Sequence, residues 1–136
     1  MILQDLFLTL VRLGIGKNSH KDISALLWNM VDWKALEGLA AEHGLSAVMV
    51  DGIERLPENK RPPKMVLLQW IGETLQGYEY RYETYKKAIS ELATFYNQHG
   101  FKMMVLKGYV CSLYWPKPEH RPCGGYRYGL WSTRGC

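Results

Sequence analysis

Between Leu67 and Tyr96 the chain sets an apolar or aromatic residue at Leu67, Ile71, Leu75, Tyr78, Tyr82, Tyr85, Ile89, Leu92 and Tyr96. The steps are of three and four residues, which lay these side chains along one face of an α-helix. The stripe requires either one long helix or two joined near Gly72 and Gly77, where glycine weakens helical backbone. A chain that commits so much of its length to a single helical stripe is expected to be mainly α.

The residues before the stripe repeat the same period in shorter pieces. Leu3, Leu6, Phe7, Leu10, Val11 and Leu13 form one helical face, closed by Gly14 and Gly16 and a Lys17-Asn18-Ser19 turn. Ile23, Leu26, Leu27 and Met30 predict a second short helix. Asp32 is placed to cap a third, through Trp33, Leu36, Leu39 and Ala40, with a stop at His43-Gly44. Val48, Ile53 and Leu56 predict one more, broken by Pro57, Pro62 and Pro63.

After a second His-Gly stop, His99-Gly100, the pattern changes. Phe101 to Leu106 is a short apolar run bounded by Gly100 and Gly108, the signature of a buried strand. Lys107-Gly108 opens a short helix from Tyr109 to Trp115, which ends at the stiff Pro116-Lys117-Pro118 loop. The expected layout is a helical region over residues 1–99, then the opening of an α/β unit over 100–136.

Bulk properties exclude several classes of function. The formal charge is +4, and removing the last sixteen residues leaves about +1, so no basic stripe for nucleic acid is indicated. Cys111, Cys123 and Cys136 contain no paired spacing for zinc or a disulfide framework, and Cys111 reads as a buried thiol. The N-terminal segment carries Asp5 where a secretion signal carries a cation, and no apolar run reaches the length of a membrane span. A cytoplasmic protein without a membrane partner is expected.

Three short pieces carry the chemistry. Val105-Leu106-Lys107-Gly108 is followed by Leu113-Tyr114-Trp115-Pro116 and then by Arg121-Pro122-Cys123-Gly124. Together they resemble the "LKG … LYP … R-x-x-G-D-h-D" pattern, h being apolar, of a bacterial nucleotidyltransferase family in the polymerase-β-type superfamily. Glu42-His43-Gly44-Leu45 is similar to that family's N-terminal region. The resemblance implies a helical N-terminal bundle leading into an α/β nucleotidyltransferase core. It implies that Lys107 and Gly108 lie near the nucleotide, that Arg121 positions phosphate, and that Gly124 begins the metal-binding strand. Its partner would be a nucleoside triphosphate and its cofactor Mg²⁺. The acceptor could be a small molecule, a protein or an RNA.

Such a pattern suits nucleotidyl transfer. Two carboxylates one residue apart on a strand point to the same face and can hold Mg²⁺ against a triphosphate. A preceding glycine lets backbone amides approach phosphate, and a nearby Lys or Arg pairs with its oxygens. Here the carboxylates are missing, because residues 121–136 contain no Asp or Glu. No catalytic residue and no metal ligand is therefore assigned, and no Mg²⁺ is expected for the chain as written.

Gly125-Tyr126-Arg127-Tyr128 can be encoded GGA-TAT-CGA-TAT, and one base later the same bases read GAT-ATC-GAT, Asp-Ile-Asp. A frameshift or truncation near Gly124 is the expectation, leaving only the first strand and helix of the core. Residues 125–136 would then be out of frame or disordered; the 101–106 strand would be left with unpaired edges, and the C-terminal thirty or so residues poorly ordered or paired in a makeshift way. The intact form is expected to be an enzyme and the present chain inactive. The alternative is a non-catalytic helical module that binds a partner protein.

The remaining candidates have plainer readings. His43 and His99 precede glycines and suit helix C-caps, and His20 and His120 carry no pattern. The tyrosine stripe suits a core or an interface better than a base-stacking platform.

Overall fold

A computed structural model describes residues 2–17, 28–122 and 125–133. The second predicted helix, His20, Cys123, Gly124 and Cys136 lie outside the described residues, apart from a 3-10 turn at Trp28–Met30. The protein is mainly helical with one two-stranded antiparallel sheet. It divides into two compact units, Met1–Gln76 and Gly77–Cys136.

The first unit contains helices α1 (Ile2–Gly14), α2 (Trp33–Glu42), α3 (Ser46–Glu54) and α4 (Lys64–Thr74). Each predicted cap and stop falls where the residues ask for it. The Asp32 carboxylate accepts from the Ala35 amide at 3.0 Å and starts α2. Gly44, at φ 66°, turns the chain out of α2. The core gathers Leu6, Phe7, Leu10 and Leu13 of α1 with Leu36 and Ala40 of α2, Met49, Val50 and Ile53 of α3, and Leu56 and Trp70.

Helix α3 is the centre of this unit, with every residue from Ala47 to Ile53 buried. Periodicity marks only one face of it, because a helix enclosed on all sides need not alternate. The crossing of α1 and α3 rests on two glycines. A Cβ at Gly52 would overlap the Leu10 carbonyl, and one at Gly14 would overlap that of Val48. Arg55 donates to the Leu13 carbonyl at the end of α1. Arg61 donates to Leu56 O at 2.8 Å and to Glu54 O at 2.7 Å, meeting carbonyls that the end of α3 leaves open.

The long stripe becomes two α-helices joined by a π-helical segment, Leu75–Glu79. The join includes Gly77, one of the two expected positions, and the boundary between the units falls inside it. Backbone that takes an extra residue per turn is stable only in short pieces, and glycine eases the change.

The second unit holds α5 (Tyr80–Gln98), strand β1 (Phe101–Lys107), the single-turn helix α6 (Tyr109–Ser112) and strand β2 (Arg127–Ser132). His99 caps α5, its Nδ1 lying 2.8 Å from Phe95 O. The predicted helix from Tyr109 to Trp115 is shorter than its apolar pattern, since Leu113 and Tyr114 are exposed.

The 101–106 segment is a strand, but not a buried one. Met103 and Val105 are half-buried, while Phe101, Lys102, Met104 and Leu106 are exposed. The reason is the small sheet: β1 has one partner strand and packs one face toward α5. The pairing is antiparallel, Met103 facing Leu130 and Val105 facing Tyr128, with an irregularity between Val105 and Lys107. Of the two expectations for the tail, disorder or makeshift pairing, residues 127–132 follow the second: they form a strand that pairs one edge of β1.

The stripe tyrosines meet this strand and α6. Tyr82 stacks on Tyr109 at 5.4 Å, Tyr85 meets Tyr126 edge-on at 6.1 Å, and the Tyr96 and Tyr128 hydroxyls lie 3.3 Å apart. They form packing contacts, as the helical spacing suggested. No helix among the described residues is long and apolar enough to cross a membrane.

Candidate nucleotide site

The site begins where β1 ends. Gly108 has φ 77° and ψ −103°, a conformation that any side chain would strain. A Cβ there would also overlap Gly125 O and crowd Tyr126 Cα at 2.8 Å. Glycine is thus needed twice at this position, for its backbone angle and for close approach of the 125–126 backbone.

Around this turn lies a cavity of about 380 Å³. It is lined by Lys107, Gly108 and Cys111 from the end of β1 into α6, and by Arg121, Pro122, Gly125, Tyr126 and Arg127 from the segment leading into β2. The fold therefore brings Lys107, Gly108 and Arg121 together, three of the four residues the resemblance implied. The fourth, Gly124, lies outside the described residues. An Arg121 guanidinium N–H points at the Gly108 carbonyl at 3.4 Å, a long contact that sets the side chain over the turn.

Five lining residues were not singled out from the sequence, and two of them, Arg127 and Cys111, bear on the chemistry. Arg127 stands in the segment expected to be out of frame, so it was excluded; the strand register places it opposite Lys107. Cys111, read as buried, is half-buried and lines the cavity, because α6 stops one turn after Gly108. The apolar sequence around Cys111 gave no sign of this.

His120 was also missed. Its side chain is buried, and its Nε2 lies 2.7 Å from Glu79 Oε1. The bond ties the Pro118–His120 turn to the residue before α5 and so holds the next residue, Arg121, in the cavity wall. A His-Arg pair in a proline-bounded loop has no local signature for such a partner forty-one residues away.

The family pattern implies a divalent cation, and the cavity residues do not fit one. Such a hard ion takes carboxylate, carbonyl or water oxygens, whereas among the described residues this cavity is lined by three cationic side chains and no carboxylate. Elsewhere Glu79, Glu119 and His120 bring possible ligand atoms within 4.8 Å of one another, but none of the three lines the cavity. The imidazole Nε2 of that group is already engaged by Glu79.

Burial, and then the bond with Tyr109, pushes the Tyr82 phenol up to about 12. Tyr82 therefore keeps its proton at neutral pH and acts as packing under α6. Tyr96 is raised as well, chiefly by its bond with Tyr128.

A family model described as an uncharacterised nucleotidyltransferase matches residues 29–125, which is 97 of the 136 residues. The chain belongs to this family. Lys107, Gly108, Arg121 and Gly124 fall inside the matched span, whereas Arg127 lies just beyond it. No curated protein and no solved structure matches the chain. Membership of this nucleotidyltransferase family implies a nucleotide substrate.

Proposed function

We propose that this nucleotidyltransferase-family chain is a cytoplasmic protein that binds a nucleoside triphosphate through Lys107, Gly108 and Arg121 and, as written, does not transfer it. The observation that carries the reading is the convergence of these residues on one cavity around a strained glycine turn. Lys107 and Arg121 approach from separate segments, so phosphate can bridge them. Gly108 brings backbone close enough to leave no side chain between the cations and their ligand.

Transfer itself belongs to an intact, polymerase-β-type bacterial form. There an Asp-x-Asp pair, legible one base out of frame at residues 125–128, would hold Mg²⁺ while a nucleoside monophosphate passes to an acceptor. The present chain has no carboxylate at that place, which supports inactivity in transfer.

Titration of ATP into the purified chain and into a frame-restored chain tests both halves. The expected result is binding by both and Mg²⁺-dependent nucleotide incorporation only by the restored chain. Failure of the written chain to bind ATP under any metal condition would refute the nucleotide reading. That outcome would favour the non-catalytic interaction module, for which the exposed side chains of Met104, Leu106 and Trp131 are the supporting observation.

A further inference from the structure

The charge around the cavity is one-sided. Lys107 and Arg127 are direct cross-strand partners, and like charges so placed repel. Neither makes an ion pair among the described residues. Arg121 adds a third cation to the lining and directs one N–H at Gly108, leaving its other donors for a ligand.

The acids of the same unit are placed elsewhere. Glu83 and Glu91 pair with Lys86 and Lys87 on α5, and Glu79 pairs with His120. Glu119 does not line the cavity. The sheet register therefore holds two cations together against their repulsion, beside a third, with no acid among the described lining residues to balance them. An anion that enters from solution relieves this arrangement, and one with several charges relieves it most.

We propose that the cavity binds the polyphosphate of a nucleoside triphosphate as the metal-free anion, with Arg127 as the third phosphate-binding cation. This rests on the nucleotide-binding reading above and adds the ionic form of the ligand and a residue outside the family match. A phosphate-bound divalent cation brings positive charge into a site that already has three and offers it no carboxylate ligand. It also cancels part of the negative charge that the three side chains would pair with. Metal-free nucleotide is therefore the favoured species, and Arg127 provides charge where an acid pair would have required a metal.

Calorimetric titration of the full chain with ATP, once in EDTA and once in excess MgCl₂, tests the ionic form without any variant. Binding is expected in EDTA and is expected to weaken about tenfold with Mg²⁺. Inorganic tripolyphosphate should displace ATP while adenosine should not, which assigns recognition to the phosphates. Arg127→Gln should weaken metal-free ATP binding about tenfold with the far-ultraviolet circular dichroism unchanged, the loss expected for one charge-assisted contact. Binding that requires Mg²⁺, or equal binding by Arg127→Gln, overturns this inference and leaves the nucleotide reading standing. Absence of ATP binding in both conditions overturns the nucleotide reading itself.

Discussion

Lys107 and Arg127 face each other across the two-stranded sheet, one at the end of β1 and the other at the start of β2. The pair costs stability, and in the proposal above it supplies the charge that binds an anion. Like charges opposite one another cost up to about 1 kcal/mol, reduced here because both side chains are exposed to water. Arg127→Gln is accordingly expected to raise the melting temperature of the ligand-free chain slightly. Tripolyphosphate should raise the melting temperature of the parent chain more than that of the variant. Thermal denaturation with and without the anion checks both.

Gly108→Ala places a methyl group on the Gly125 carbonyl at a backbone angle that alanine resists. The angle alone, in a region sparsely populated by residues with a side chain, costs on the order of 1–3 kcal/mol, and the overlap adds to it. The variant should lose nucleotide binding and unfold at lower denaturant concentration. A parallel titration and urea melt would show both losses together.

His120→Ala removes the imidazole and leaves the Glu79 carboxylate without this partner. A loss of about 1–3 kcal/mol is expected for a buried polar bond to a charged group. Since Arg121 follows directly, ATP affinity should also fall, although His120 does not line the cavity. Equal affinity in the parent and a folded His120→Ala chain would remove His120 from any positioning role.

Gly52→Ala tests the α1–α3 crossing in the first unit. Alanine improves helix propensity by up to about 1 kcal/mol, but here its methyl group overlaps the Leu10 carbonyl. Overpacking of about 1–3 kcal/mol should win, so the variant is destabilised. A melting temperature above that of the parent would contradict the close crossing.

Tyr82 gives a pH dependence with a definite sign. Its folded-state value of about 12 lies above the ordinary 10.0, so the folded state holds the proton more tightly. This contribution is complete below pH 10 and is lost as pH rises toward 12. Tyr82→Phe should be less sensitive than the parent over that window, as read by chemical denaturation at matched ionic strength.

Local chemistry made much of the fold legible. Asp32, Gly44 and His99 act on their own neighbourhoods, so helix starts and stops could be read directly. The same holds for the apolar run at 101–106, whose identity as a strand was plain although its burial was not. Burial depends on how many elements cover a strand, and the two-stranded sheet covers this one poorly. Lys107, Gly108 and Arg121 were legible by resemblance, since their spacing is that of a family motif.

By itself, the sequence determined a mainly helical chain, a glycine-bounded strand and a Lys107-Gly108…Arg121 pattern that resembles a nucleotidyltransferase motif without its carboxylates. Tertiary structure alone decided that β2 would pair with β1, that Arg127 would stand opposite Lys107, and that His120 would reach Glu79. The physical reason is distance along the chain. Periodicity and capping act within a few residues, whereas strand register and buried polar pairs join segments whose separation leaves no local pattern.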